Sequence, residues 1–344
     1  MHKRNINGLT IKELEGVLAG WQQQGFHARQ IFSWIYKKGI RDFESMSDLP
    51  FDLRGRLKEN FYFFGSKLTR LLKSQDGTEK MLFELQDGNF IEAVAIPTEK
   101  RITGCISTQA GCKFSCRFCA SGLLGFKRDL TTAEMVGEVL YLKNNTALRK
   151  LTHIVFMGIG EPLDNYDNLL GAIRIINSPE GLHIGSRRIT ISTCGLLPGI
   201  KRLSEEGLQI ELSVSLHAAD DKIRSQLMPI NRKYPLRPLM EACRKYIKRT
   251  NRQVTFEYVL IKGINSDLQN ARKLSIILKP LNCKVNLIPA NAVGERGIGP
   301  PDKSEILLFK GSLVKSGINV TLRRPRGEDI AAACGQLRLH YEEK

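Results

Sequence analysis

No apolar run in this 344-residue chain approaches the length needed to span a bilayer. The opening stretch MHKRNINGLTIKELEGVLAG also lacks a signal-peptide core. No membrane role is expected on these grounds, and a cytoplasmic monomer is expected. Acidic residues are scarce: 35 Asp and Glu stand against 52 Lys and Arg, a net charge of +17. A surplus that large, spread from Lys3 to Arg338, favours a polyanionic partner, with nucleic acid ahead of membrane. Apolar residues make up 42% of the chain, which at this length supports a substantial core.

A fourth clustered cysteine is also missing. In GCKFSCRFCASG, Cys112, Cys116 and Cys119 fall within eight positions, and the other five cysteines (Cys105, Cys194, Cys243, Cys283 and Cys334) are scattered. Without a secretory signal, clustered thiols point to metal binding or catalysis rather than disulfides. Three readings follow. Structural zinc needs a fourth ligand, which only the distant His153, His183 or His217 could supply. Unconnected core thiols do not account for the density. A [4Fe–4S] cluster held by three thiolates leaves one iron open to an outside ligand.

The rest of the chain gives these cysteines a setting. Residues 1–60 read as a helical accessory domain. Thr10 and Glu13 form a capping-box pattern ahead of Ile11, Leu14, Val17 and Leu18, and a second amphipathic stretch ends at Gly39. This basic zone carries Trp21, Trp34 and Tyr36, and is either an RNA-contacting unit or a helical cap whose aromatics are core. Residues 61–98 read as a small β-hairpin extension turning at Asp87-Gly88. From 99 to 344, the strand candidates ITGCIST, HIVFMG, RITIST, IELSVSLH, VTFEYVLI, KVNLIP and NVTLRR alternate with helical segments. That spacing predicts an α/β fold with a parallel sheet, an open or partial barrel with ligands at the strand C-terminal ends. The cluster cysteines fall on the loop after the first of these strands.

At this point the sequence resembles a known family. C-x3-C-x2-C on the first loop of a partial barrel is the mark of radical S-adenosylmethionine (SAM) enzymes, with a (β/α)6-type barrel. STQAGCKFSCRFCASGLLGFKRDLTTAE, GIGEPL, RRITIST, SVSLHA, LMPINRKYP, VNLIPAN and GEDIAAACGQL resemble, in order, the RlmN/Cfr group of RNA adenine methyltransferases. The resemblance implies one [4Fe–4S] cluster per chain on Cys112, Cys116 and Cys119, with SAM on the open iron and two SAM per turnover. It implies SAM contacts from Gly160, Glu161, Ser192, Ser215, Leu216, His217 and Asn291. It also implies that Cys334 carries a methyl group from a first SAM, that radical chemistry joins it to the adenine, that Cys105 releases the adduct through a transient disulfide, and that Glu92 removes the ring proton. Cys194, Cys243 and Cys283 match no catalytic position, and Cys194 lies beside a SAM-binding strand.

The implied substrates are 23S rRNA at the peptidyl-transferase centre and the adenine beside the tRNA anticodon, with a flavodoxin-type electron donor. C2 of adenine lies between two ring nitrogens and is too electron-poor to attack the SAM methyl, so cofactor radical chemistry is required. RlmN-type enzymes methylate C2 and the Cfr type methylates C8; the NLIP and GFKRDLT segments look closer to RlmN. A non-catalytic, zinc-stabilised RNA-binding assembly factor is the alternative from another class. Lys113, Arg117, Lys127 and Arg128 flank the cysteines and are candidate phosphate contacts. Two positions depart from the group's pattern: NAVGERG follows where proline is usual after Asn291, and Asp129 stands where asparagine is usual.

Overall fold

A computed structural model of the chain describes residues 3–63, 65–123, 125–145, 151–291 and 298–337. The departure at 292–297 and the basic residue Arg338 therefore lie outside the described residues. The N-terminal part holds α1 (Ile11–Gly20), α2 (Phe26–Phe32) and α3 (Phe51–Asn60), with a parallel pair of short strands, β1 (Arg4–Asn5) and β2 (Phe61–Tyr62). The Thr10–Glu13 capping box forms at the start of α1, and Gly39 takes a left-handed conformation (φ +72°) after the α2 segment. Tyr36 is fully buried and donates its hydroxyl to the Asn7 carbonyl at 3.0 Å. Trp21 packs against Phe61. Both of these aromatics serve the packing of this part.

One ten-stranded sheet forms the body. β3 (Lys67–Lys73), β4 (Glu79–Glu84), β5 (Phe90–Pro97) and β6 (Ile102–Cys105) pair antiparallel in sequence. β6 then opens a run of seven parallel strands, continuing through β9 (Leu151–Phe156), β10 (Ile189–Thr193), β11 (Glu211–Ser215), β12 (Val254–Leu260), β13 (Cys283–Pro289) and β14 (Asn319–Leu322). All seven strand candidates lie in this run. The crossovers carry α4 (Thr132–Asn145), α5 (Tyr166–Asn177), α6 (Leu197–Leu203), α7 (Asp221–Leu227) with α8 (Leu236–Thr250), α9 (Leu268–Leu278) and α10 (Lys303–Lys315). β12 is buried along its whole length, as a central parallel strand covered on both faces should be.

β3 and β14 are the two edges, so the barrel is partial. The hairpin at Asp87-Gly88 joins β4 to β5, and β5 pairs directly with β6. The hairpin strands thus continue the barrel's own sheet. A feature not foreseen is the two-stranded ribbon of β7 (Gln109–Gly111) and β8 (Phe126–Asp129), whose arms flank the cysteine loop. Gly111 (φ +81°) at the ribbon's end lies against the Gly125 carbonyl so closely that a Cβ could not fit.

Arg224 on α7 fixes the strand exits. Its guanidinium is fully buried. Nε donates to Leu216 O at 3.1 Å, Nη1 to Asn231 Oδ1 at 2.8 Å, and Nη2 to Cys194 O at 2.8 Å and Ser215 O at 3.1 Å. One cation therefore ties the ends of β10 and β11 to the MPINR turn. An Arg224→Met variant leaves several buried acceptors unpaired and should lose about 3 kcal/mol or more of stability. Urea unfolding checks this, and a wild-type midpoint would exclude the anchoring role.

Candidate active site

A cavity lies at the C-terminal ends of the parallel strands, where this fold class binds ligands. Each strand from β9 to β14 contributes. Gly158, Gly160 and Glu161 follow β9, Ser192 and Cys194 mark the exit of β10, Ser215 and His217 that of β11, Val259 lies on β12, Asn291 follows β13, and Arg323 follows β14. Cys112, Cys116 and Cys119 line the same cavity, and so do Cys334 and Gly335.

The three loop cysteines thus share one wall, yet among the described residues no three His, Cys, Asp or Glu side chains come close enough to hold a single metal ion. Three thiols on one wall of a cavity are a donor set suited to an iron–sulfur group with room beside it for an outside ligand. Burial, with the neighbouring Cys119, pushes the Cys112 thiol up to about 11, and burial drives Cys116 well above its ordinary value. Thiols in such a setting become thiolates when a metal centre supplies the compensating positive charge.

The turn after β9 is built for close approach. Gly160 has φ +104°, and a Cβ there would meet Gln109 Cβ at 2.6 Å. The backbone N–H of Glu161 donates to Gln109 Oε1 at 2.9 Å. The buried Glu161 carboxylate accepts from Leu163 N at 3.1 Å and from Cys194 N at 2.7 Å. The Thr193 and Cys194 side chains also hydrogen-bond to this carboxylate, which fixes its orientation at the cavity wall. Burial raises the Glu161 pKa, and the amide donors work against that rise.

His217 is buried with φ +55°, its Nδ1 accepts from Val259 N at 3.0 Å, and its ring meets Phe118 edge-on. Burial and the Arg224 charge hold its pKa down near 3, so the imidazole is neutral and its proton sits on Nε2. Leu216 stands apart: its side chain is fully buried, it does not line the cavity, and its carbonyl serves Arg224. Asn291 donates from Nδ2 to the Cys334 carbonyl at 3.0 Å. Its buried Oδ1 has no partner among the described residues, as expected of a group meant for a ligand.

Cys334 arrives on the C-terminal segment. Gly335 O accepts from Ala120 N at 2.7 Å, and Leu337 O accepts from Ser121 Oγ at 2.9 Å, which docks that segment on the cysteine loop. Cys334 is exposed, while Cys105 is buried at the end of β6 in an apolar cluster with Val94, Ala332 and Leu337. Burial, with the nearby Cys334, pushes the Cys105 thiol strongly upward. Glu92 does not line the main cavity. It sits on β5, two residues from Val94, the cross-strand partner of Cys105, and its carbonyl accepts from Ser107 Oγ at 2.7 Å. All eight cysteines are free, and Cys243 and Cys283 lie buried in the main core.

Three functional candidates escaped the sequence reading: Arg224, Glu257 and Arg323. Glu257 is buried on β12, accepts from Asn286 Nδ2 at 3.0 Å and lies 3.9 Å from Arg323. Arg323 feels the Cys334 and Cys105 sulfurs, and Cys334 above all holds its pKa up. Of the four flanking cations, Arg128 is committed to Glu134 and Asp87 and Lys113 to Asp164. Arg117 and Lys127 remain exposed. Asp129 accepts from Gln109 Nε2 at 2.8 Å, which gives that departure a structural use.

Residues 106–274 match the sequence profile of the Radical SAM superfamily, and residues 4–63 match that of the ribosomal RNA large subunit methyltransferase N-terminal domain. The chain is 46% identical over 338 residues to a probable dual-specificity RNA methyltransferase RlmN of Thermoanaerobacter sp. (strain X514), covering 98% of each. It is also 46% identical to the protein so named in Staphylococcus aureus (strain bovine RF122 / ET3-1), covering 98% of this chain and 93% of that one. A crystal structure of a radical SAM methyltransferase from Sphaerobacter thermophilus superposes with a TM-score of 0.92 at 44% identity, covering 97% of this chain and 99% of that one. The chain belongs to the RlmN family of radical SAM RNA methyltransferases.

Proposed function

We propose that this protein methylates C2 of adenine in 23S rRNA and in tRNA, from a cytoplasmic location and with an external flavodoxin-type reductant. The observation that carries the reading is the docking of the Cys334 segment on the cysteine loop, with Cys105 beneath the same segment. Cys112, Cys116 and Cys119 would hold a [4Fe–4S] cluster. When bound, the cluster and SAM supply the one-electron chemistry and hydrogen-atom abstraction that an electron-poor ring carbon requires.

The chain's own residues do the remaining work. Glu161 and the turn at Gly160 receive the amino-acid end of SAM, and Ser192, Ser215, His217 and Asn291 surround the rest. Leu216 would contribute through its backbone position. Cys334, the exposed thiol, attacks the SAM methyl as a thiolate and keeps the methyl as a thioether. After a hydrogen atom has been removed from that methyl, its carbon bonds to C2. The unpaired electron left on that adduct would return to the iron–sulfur group, and Glu92 takes the C2 proton, which leaves a closed-shell thioether. Cys105 then attacks the Cys334 sulfur, the carbon–sulfur bond breaks toward the new methyl, which picks up a proton, and a Cys105–Cys334 disulfide remains. A reductant restores both thiols. Two SAM molecules are consumed, one giving its methyl and the other serving the radical step.

Placing the helical unit at residues 1–60, the hairpin extension at 61–98 and the catalytic barrel at 99–344 assigns radical chemistry to the last. The adenine must leave its stack to reach a site at the bottom of strand-end loops, so the substrate is an accessible loop or incompletely folded RNA.

Replacing Cys112, Cys116 or Cys119 with alanine should abolish the brown iron–sulfur absorbance after anaerobic reconstitution, while Cys334→Ala keeps it. The Cys334 variant should transfer no methyl to RNA; full turnover by it would refute the relay. In Cys105→Ala, RNA should remain covalently attached to protein and appear as a shifted band on a denaturing gel. Free methylated RNA at the wild-type rate would remove Cys105 from the scheme. Nucleoside mass spectrometry of both RNAs should give 2-methyladenosine, and 8-methyladenosine alone would sink the C2 assignment.

A further inference from the structure

The segment that carries Cys334 is held at its root by a clasp. The turn between β3 and β4 reaches the chain just after β14. Ser74 Oγ donates to Asp329 Oδ1 at 2.6 Å, Gln75 N donates to Asp329 Oδ2 at 3.2 Å, and Gly327 N donates to Asp76 Oδ2 at 3.0 Å. Gly327 has φ +63°, and a Cβ there would come within 2.8 Å of both Thr78 Cγ2 and Ala332 Cβ. Ala331 has φ +50°, a conformation that costs a non-glycine residue energy and persists only where neighbours impose it.

Lys80 is the neighbour at that point. Its Nζ donates to the Ala331 carbonyl at 3.2 Å and pairs with Glu92 Oε1 at 3.1 Å. Lys80 is 7% exposed and Glu92 3%. Lys80 faces Val94 across β4 and β5, and Val94 faces Cys105 across β5 and β6. One buried ammonium therefore touches both the carboxylate beside the Cys105 strip and the backbone three residues before Cys334.

We infer that Lys80 is a positioning residue that docks the root of the Cys334 segment beside Glu92 and so sets where Cys334 enters the cavity. This rests on the roles given above to Cys334 and Glu92. A lysine suits the task because a compact ammonium with three donors serves a carboxylate and a carbonyl at once. Methionine matches its length and can donate to neither, whereas arginine restores charge and donors.

Limited trypsin digestion of the full-length protein reads the clasp directly, since the Arg326–Gly327 bond lies within it. Lys80→Met should speed cleavage there at least tenfold and slow RNA methylation by a similar factor. Lys80→Arg should recover most of both. The Lys80→Met/Glu92→Gln double variant leaves no unpaired buried charge, and circular dichroism on it separates loosening of the segment from unfolding. In that folded double variant the rapid cleavage should persist. Wild-type cleavage in folded Lys80→Met overturns the proposal, and so does failure of Lys80→Arg to restore protection. Failure of the underlying reading looks different: Glu92→Gln or Cys334→Ala would then turn over normally while Lys80→Met still opened the clasp.

Discussion

The chemistry of this fold depends on one backbone hydrogen bond, from Ala120 N to Gly335 O at 2.7 Å. It joins the cysteine loop, which follows the first parallel strand, to the segment that follows the last. Gly335 has φ +80°, and a Cβ there would lie 2.8 Å from the Phe118 carbonyl, so the segment can dock at this depth only with glycine next to Cys334. Because β14 and β3 are the edges of an open sheet, the C-terminal segment spans the gap that a closed barrel would fill with strands. Residues more than two hundred positions apart thereby share one cavity wall.

The electrostatics of that cavity follow from its depth. Burial raises Cys112, Cys116, Cys194, Glu161 and Glu257 and lowers His217, so each group is driven toward its neutral form. A cationic group bound among them would reverse that drive for the thiols and carboxyls by supplying the charge that favours the ionised forms. Two guanidiniums counter the trend from fixed positions. Arg224 sits behind the exits of β10 and β11, and Arg323 stands beside Cys334 and Glu257. Their bonds hold the strand ends in register, so packing and site polarity are set by the same contacts.

The parallel strands were legible because buried β-branched runs recur between amphipathic helices, and the cysteine loop because thiols so closely spaced have few other uses. The Asp87-Gly88 turn and the Thr10 capping box were legible from local chemistry alone. Arg224 was not: an arginine in IRSQL reads as a surface residue, and only the Leu216 and Cys194 carbonyls and the Asn231 side chain converging on it make it a core cation. The β7–β8 ribbon escaped because its arms are three and four residues long and pair across the cysteine loop. At Leu216 the motif alone could not separate a side-chain position from a backbone one. Its motif neighbours Ser215 and His217 face the cavity, but its own side chain alternates into the core. Lys80, in a charged stretch KSQDGTEK, gave no sign of its burial beneath a segment 251 residues away.

The basic surplus also reads differently once partners are known. Lys113 and Arg128 are engaged by Asp164, Asp87 and Glu134, so half of the cations flanking the cysteines brace the ribbon. Arg117 and Lys127 remain exposed. Two exposed charges cannot account for affinity toward a long polyanion, since attraction grows with the number of phosphates neutralised. The net charge of +17 must therefore act over the wider surface, holding RNA without reading it. That charge cannot select a base, so selection falls to the enclosed cavity at the strand ends.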